Sequence, residues 1–170
     1  DMEKRYTVAV LVRNQFGVLN RVTSMFRRRQ FNIDNLTVSE TESPDYSRIT
    51  VQFAGERVTK QQLVDQLYKL PDVCSIRELD NENSVSFELL LIKLKNDPAS
   101  RGDIMAAADA FEAKTVDYTR ESIVLRVTAD SRRIDDFIDL MRDYEILEIC
   151  RTGVVSLERG ADTIRKVTNL

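Results

Sequence analysis

The chain has 170 residues, 42% of them hydrophobic and 31% charged, with a formal net charge of −3. That length suits one large globular domain or two small ones, and the mild acidity gives no pull toward nucleic acid or an anionic membrane. Histidine is absent, which removes the usual general base at neutral pH and the commonest metal ligand, and so weighs against an enzyme.

Five glycines, Gly17, Gly55, Gly102, Gly153 and Gly160, are too scattered for a dinucleotide or phosphate loop. The two cysteines, Cys74 and Cys150, lie far apart without a paired spacing. They read as small core or sheet residues, which fits a reducing cytoplasm and argues against structural zinc. No apolar run reaches the length of a membrane span, and the polar opening Asp1-Met2-Glu3-Lys4-Arg5 does not resemble a signal peptide. A cytoplasmic location is therefore expected.

Tyr6 to Arg13 is rich in β-branched residues and predicts a strand with Val8, Val10 and Val12 on one face. From Gly17 to Arg29 the period changes: Val18, Leu19, Val22, Met25 and Phe26 recur at helical spacing, and the closing arginines complement the helix dipole. Strands are predicted over Asn32 to Glu42 and Tyr46 to Ala54, with Ser43-Pro44-Asp45 as the turn between them. Thr59 to Leu70 predicts an amphipathic helix with Thr59 as N-cap, and Pro71-Asp72 stops it before a strand over Val73 to Leu79.

The segment Asp80-Asn81-Glu82-Asn83-Ser84 has no apolar residue and marks a domain boundary, giving domains 1–80 and 81–170. The order then repeats. A strand is expected over Val85 to Leu94, a helix over Pro98 to Phe111, and short strands over Lys114 to Thr119 and Ser122 to Thr128. A helix follows over Asp130 to Arg142, then a last strand over Ile146 to Leu157. Two βαββαβ units imply an α+β fold of two ferredoxin-like sandwiches in tandem, each an antiparallel sheet with its helices on one face. Such a sheet leaves one face open and its edges need cover, which a side-by-side dimer would supply. The fold itself does not fix a function.

The loop Arg13-Asn14-Gln15-Phe16-Gly17 joins the first strand to the first helix. Gly17 and Val18 would set unpaired backbone N–H groups at a helix N-terminus, a seat for a carboxylate. Asn32, just beyond the helix, could hydrogen-bond both halves of an amino-acid zwitterion. On chemistry alone the plainer reading is favoured, with Asn14 and Gly17 as turn residues and Asn32 as an ordinary post-helix asparagine. Arg27-Arg28-Arg29 likewise reads as a solvated helix end.

The stretch VLVRNQFGVLNRVTSMFRRRQFNIDNLTVSETESPDYSRITVQFAG resembles the opening of the acetolactate synthase small subunits, an ACT domain. The similarity continues through Gln66 to Leu70 and returns at Cys150 to Gly160, which resembles that family's closing motif, with a looser middle. The resemblance implies a non-catalytic regulatory subunit that forms a homodimer and binds valine or a related branched-chain amino acid. It would impose feedback inhibition on a catalytic large subunit that it otherwise activates. It implies an effector site between two ACT domains from Asn14, Gly17 and Asn32, walled by Val18, Leu19 and Ile33. No catalytic residue, metal site or cofactor is implied in this chain; thiamine diphosphate, magnesium and FAD belong to the catalytic partner. No nucleic acid or membrane partner is implied.

Four positions depart from the family pattern. Phe16 stands where proline or serine is common, Gln30 where glycine is usual, and Asn20 and Asn35 where serine is frequent. A left-handed backbone at Gln30 would cost on the order of 1 kcal/mol. An alternative reading is a free-standing ACT-type amino-acid sensor acting on another enzyme, and the closing RTGVVSLERG segment disfavours it. A small enzyme on this scaffold is disfavoured by the missing histidine, and nucleic-acid binding by the lack of an aromatic-basic sheet motif.

Overall fold

The structure is a computed structural model describing residues 4–165. Strand β1 (Lys4–Arg13) turns Tyr6, Val8, Val10 and Val12 to one face, where all four are buried. Helix α1 (Val18–Arg28) covers that face with Val22, Met25 and Phe26, and α2 (Arg57–Tyr68) with Leu63 and Leu67. The intervals of three or four residues from Val22 to Met25 and Phe26, and from Leu63 to Leu67, match the helical repeat. With β2 (Ile33–Glu40), β3 (Tyr46–Gly55) and β4 (Val73–Leu79), the antiparallel sheet runs in the order β2-β3-β1-β4. Ile49, Val51 and Phe53 of β3 face the same core.

The second sheet repeats this plan. Strands β5 (Ser84–Lys95), β6 (Lys114–Tyr118), β7 (Ser122–Ala129) and β8 (Ile146–Arg151) take the order β6-β7-β5-β8, also antiparallel. Leu90, Ile92 and Leu94 of β5 meet Ile104 and Ala108 of α3 (Arg101–Ala110) and Ile134, Phe137 and Met141 of α4 (Ser131–Met141). Both units are ferredoxin-like sandwiches, as the repeated order predicts.

Two local expectations change. Helix α2 starts at Arg57 behind Glu56, two residues before the predicted cap Thr59. Thr59 lies against Gly55, whose missing Cβ would approach its side chain to 3.1 Å, so it packs inside the first turn. The expected last strand, Ile146 to Leu157, is broken into β8 and β9 (Val155–Glu158). The break falls at Thr152, whose N–H donates to Leu89 O and whose hydroxyl accepts from Leu89 N–H at 3.0 Å.

The domain boundary also differs. One unit takes the chain up to Val85 and again from Val154, and the other spans Ser86–Gly153. The apolar-free stretch after β4 is a tied turn: Asp80 Oδ1 accepts from the N–H groups of Glu82 and Asn83, and Asn83 Oδ1 accepts from Asp80 N–H. The C-terminal segment returns to the first sheet because that sheet's helix-free face is not fully polar. Ala9, Leu11 and Leu79 lie on it, and Ile164 is buried against them.

Both cysteines sit on the strands expected for them, β4 and β8, but are exposed sheet residues with free thiols. Gln30 adopts φ 56°, the left-handed conformation that a glycine would take without strain. Its N–H donates to Arg27 O at 3.2 Å and Phe31 N–H donates to Phe26 O at 3.1 Å, a Schellman ending for α1. The rings of Phe26 and Phe31 meet edge-on across this turn. Helix α3 ends the same way at Glu112, also at φ 56°, with Glu112 N–H donating to Asp109 O and Ala113 N–H to Ala108 O.

Candidate functional site

The loop between β1 and α1 is held at its start by two backbone bonds. Arg13 N–H donates to Asp72 O at 2.9 Å, and Asn14 N–H donates to Asp45 O at 2.8 Å. The Asn14 side-chain amide adds a bond to Pro44 O at 3.0 Å. The loop therefore rests on the β2–β3 turn on one side and the β4 entry on the other. Gly17 closes it at φ 83°, a left-handed N-cap that favours glycine.

Of the two amides expected to be unpaired at the start of α1, Gly17 is without an acceptor among the described residues and Val18 is not. Val18 N–H is taken by Gln15 O at 3.3 Å, whereas Gly17, Leu19 and Asn20 N–H meet no acceptor among the described residues. Partial positive charge thus collects at this helix end, and no acidic residue lies in its first turn to offset it. The nearest cation, Arg21, is engaged with Asp72: Nη2 lies 2.6 Å and Nε 2.9 Å from Asp72 Oδ2.

These amides border an open groove of about 660 Å³ lined by Gln15, Phe16, Gly17, Val18, Leu19, Asn20 and Thr23. Of the six expected site residues, Gly17, Val18 and Leu19 are brought together there. Val18 gives most of its side chain to the core, and Leu19 is exposed. Asn14, Asn32 and Ile33 do not line the groove. Asn32 is exposed, and Ile33 packs partly against the first core. Gln15, Asn20 and Thr23 were missed as lining residues. Their signal is helical spacing, since Phe16, Leu19 or Asn20, and Thr23 recur on one face. Phe16 projects wholly into solvent, an apolar ring at the groove rim.

The second unit carries an ionic network built on the buried Glu88. Glu88 on β5 accepts from Arg151 Nε at 2.6 Å and from Ser131 Oγ at 2.8 Å. Arg151 Nη1 also reaches Asp135 at 2.7 Å. Burial opposes the Arg151 charge, but hydrogen bonds and attraction from Glu88 and Asp135 outweigh it and raise its pKa. This network fixes β8 and α4 to β5.

The two sandwiches and the glycine-capped loop define a chain of the ACT-domain class. Residues 8–75 match the family model described as an AHAS small subunit-like ACT domain, and residues 87–160 match the model described as the small subunit of acetolactate synthase. A probable acetolactate synthase small subunit of Archaeoglobus fulgidus is 44% identical over 156 residues, covering 92% of this chain and 98% of that one. The acetolactate synthase small subunit of Bacillus subtilis is 41% identical, covering 90% of each. A crystal structure of the small subunit from Thermotoga maritima superimposes with a TM-score of 0.85 at 34% identity, covering 94% of this chain and 99% of that one. The chain belongs to the acetolactate synthase small subunit family. The match over 87–160 sets aside the alternative of a free-standing sensor. Among the described residues, no helix is long and apolar enough to cross a membrane.

Proposed function

We propose that this chain is the feedback sensor of an acetolactate synthase: it binds valine or a related branched-chain amino acid at the β1–α1 loop and reports occupancy to a catalytic large subunit. The observation that carries this is the trio of unengaged N–H groups at Gly17, Leu19 and Asn20 beside a groove with apolar edges at Phe16 and Leu19. Such amides suit a carboxylate, and the apolar edges suit a branched aliphatic side chain. Asn14, Asn32 and Ile33 would complete the site together with a second copy of the chain, so that the working form is a homodimer joined through its ACT units. Strand β2 supports this, being an open sheet edge with Val38 exposed.

The chain itself would hold no thiamine diphosphate, magnesium or FAD; these would serve the large subunit, in the cytoplasm. Linkage then requires that an amino acid favouring one arrangement of the small subunit shift its hold on the enzyme by the same free energy. Titration calorimetry with valine, leucine and isoleucine tests binding. Acetolactate formation by the large subunit, with and without this chain, tests the response. Binding of none of the three, or acetolactate formation by this chain alone, refutes the proposal.

A further inference from the structure

The helix-free face of the first sheet is crossed by a strap, residues Val154–Arg165, that touches strand after strand. Val154 N–H donates to Asn35 Oδ1 on β2 at 3.4 Å. Arg48 on β3 donates from Nη2 to Ser156 O at 2.7 Å. Glu158 lies 3.6 Å from Arg77 Nε on β4. Ile164 is buried on Ala9, Leu11 and Leu79, and Arg165 pairs with Glu42 at 2.8 Å while lying over the Tyr46 ring.

Both ends of this strap meet elements that also hold the proposed effector residues. Asn35 follows Ile33 on β2, with Asn32 just ahead of the strand, and its amide is locked by Gln52 at 2.6 Å. Glu42 and Tyr46 flank the turn whose Pro44 and Asp45 carbonyls hold Asn14. The same closing segment begins with Arg151, fixed by Glu88 and Asp135 in the second unit. Only Thr152 and Gly153 separate the two anchorages.

We infer that the strap carries effector occupancy from the first unit to the second, with Arg48 as the positioning residue that holds it in register on the sheet. This rests on the proposed effector site and adds the route by which that site is read. A ligand that draws in Asn14 and Asn32 moves the β2–β3 turn and the start of β2, and both are tied to the strap. Movement of the strap then pulls directly on Arg151.

Arg48→Met separates this role from folding. Burial lowers the Arg48 pKa against the attraction of Glu158 and Glu42, so its charge is held at a cost. Removing that charge leaves Glu158 with Arg77 and Glu42 with Arg165.

The test uses the full chain with an acetolactate synthase large subunit. Hydrogen exchange is followed at the amides of residues 154–158 with and without saturating valine, leucine or isoleucine. The expected result is a change of about threefold or more in exchange rate on binding. In Arg48→Met, amino-acid affinity should stay within about twofold of the parent, while the concentration giving half inhibition rises about tenfold or inhibition disappears. An amino acid that binds without altering exchange at 154–158 overturns the inference, even if Arg48→Met fails to fold. So does a folded Arg48→Met chain inhibited like the parent. If none of the three amino acids binds, the effector reading itself falls and this route with it.

Discussion

Arg21 Nη2 lies 2.6 Å from Asp72 Oδ2, joining the first turn of α1 to the turn that enters β4. The Asp72 carbonyl also holds Arg13 N–H. One largely buried aspartate thus clamps both ends of the loop that carries Gly17. Asp72→Ala should cost about 1 kcal/mol of stability, discounted because the Arg21 side chain is 44% exposed. Amino-acid affinity should fall severalfold as the loop loosens. Urea unfolding and calorimetry measure the two effects, and an unaltered affinity would show that the clamp is not needed for binding.

Gly17 lies beside the same pair, since a Cβ built on it would approach Arg21 Nη1 to 3.1 Å. At φ 83° any side chain is strained, so Gly17→Ala should lose about 1 kcal/mol of stability. Gly17→Asp adds a carboxylate next to amides that would otherwise face the ligand carboxylate. Arg21 partly neutralises it, so the expected loss of affinity is about 1.4–2 kcal/mol, roughly ten- to thirtyfold. Calorimetry on both variants, after gel filtration against the parent, separates strain from charge. If Gly17→Asp binds valine as tightly as the parent, the groove is the wrong place.

Gln30 and Glu112 are the two non-glycine residues at positive φ among the described residues, and each ends a helix in a Schellman turn. Gln30→Gly and Glu112→Gly should each raise stability by up to about 1 kcal/mol by relieving left-handed strain. Urea midpoints report the gain. A loss at either site would mean that its side-chain contacts outweigh the backbone strain.

Glu88 has a side chain only 1% exposed, opposite an Arg151 that is 29% exposed. Glu88→Ala strands the Arg151 charge and leaves Ser131 Oγ without its acceptor, so a loss of about 2–3 kcal/mol is expected. The pH dependence follows from Arg151. Its folded pKa is raised above the ordinary guanidinium value, so its contribution is fully present below that value and lost only as pH climbs beyond it. The urea-midpoint gap between parent and Glu88→Ala should therefore hold steady from about pH 7 to pH 10. A gap that closes within that range would place the charge elsewhere.

Much of the fold was legible locally. The alternation of Val8, Val10 and Val12, the stripe Val22, Met25 and Phe26, and the repeat of the order βαββαβ each depend on residues close in sequence, and each appears in the structure. Gly17 was legible too, as a loop-closing residue before a helix. Any grouping of Asn14, Asn32 and Ile33 with it was not, since none of the three lines the groove beside Gly17. Neither was the free amide set, since whether Val18 or Leu19 keeps its N–H depends on the bend of the Gln15 carbonyl.

The sequence by itself determined the two sandwiches, the element order and the membership of Cys150 to Gly160 in a recurring closing motif, because hydrophobic period and short motifs are written in neighbouring residues. Tertiary structure alone decided that this motif is shared, with Arg151 paired to the buried Glu88 in one unit and Val154 to Glu158 laid on the sheet of the other. Arg48 meets Ser156 across 108 positions. No local pattern encodes such pairings. They arise because an exposed patch of Ala9, Leu11 and Leu79 must be covered, and the segment ending in Ile164 buries it.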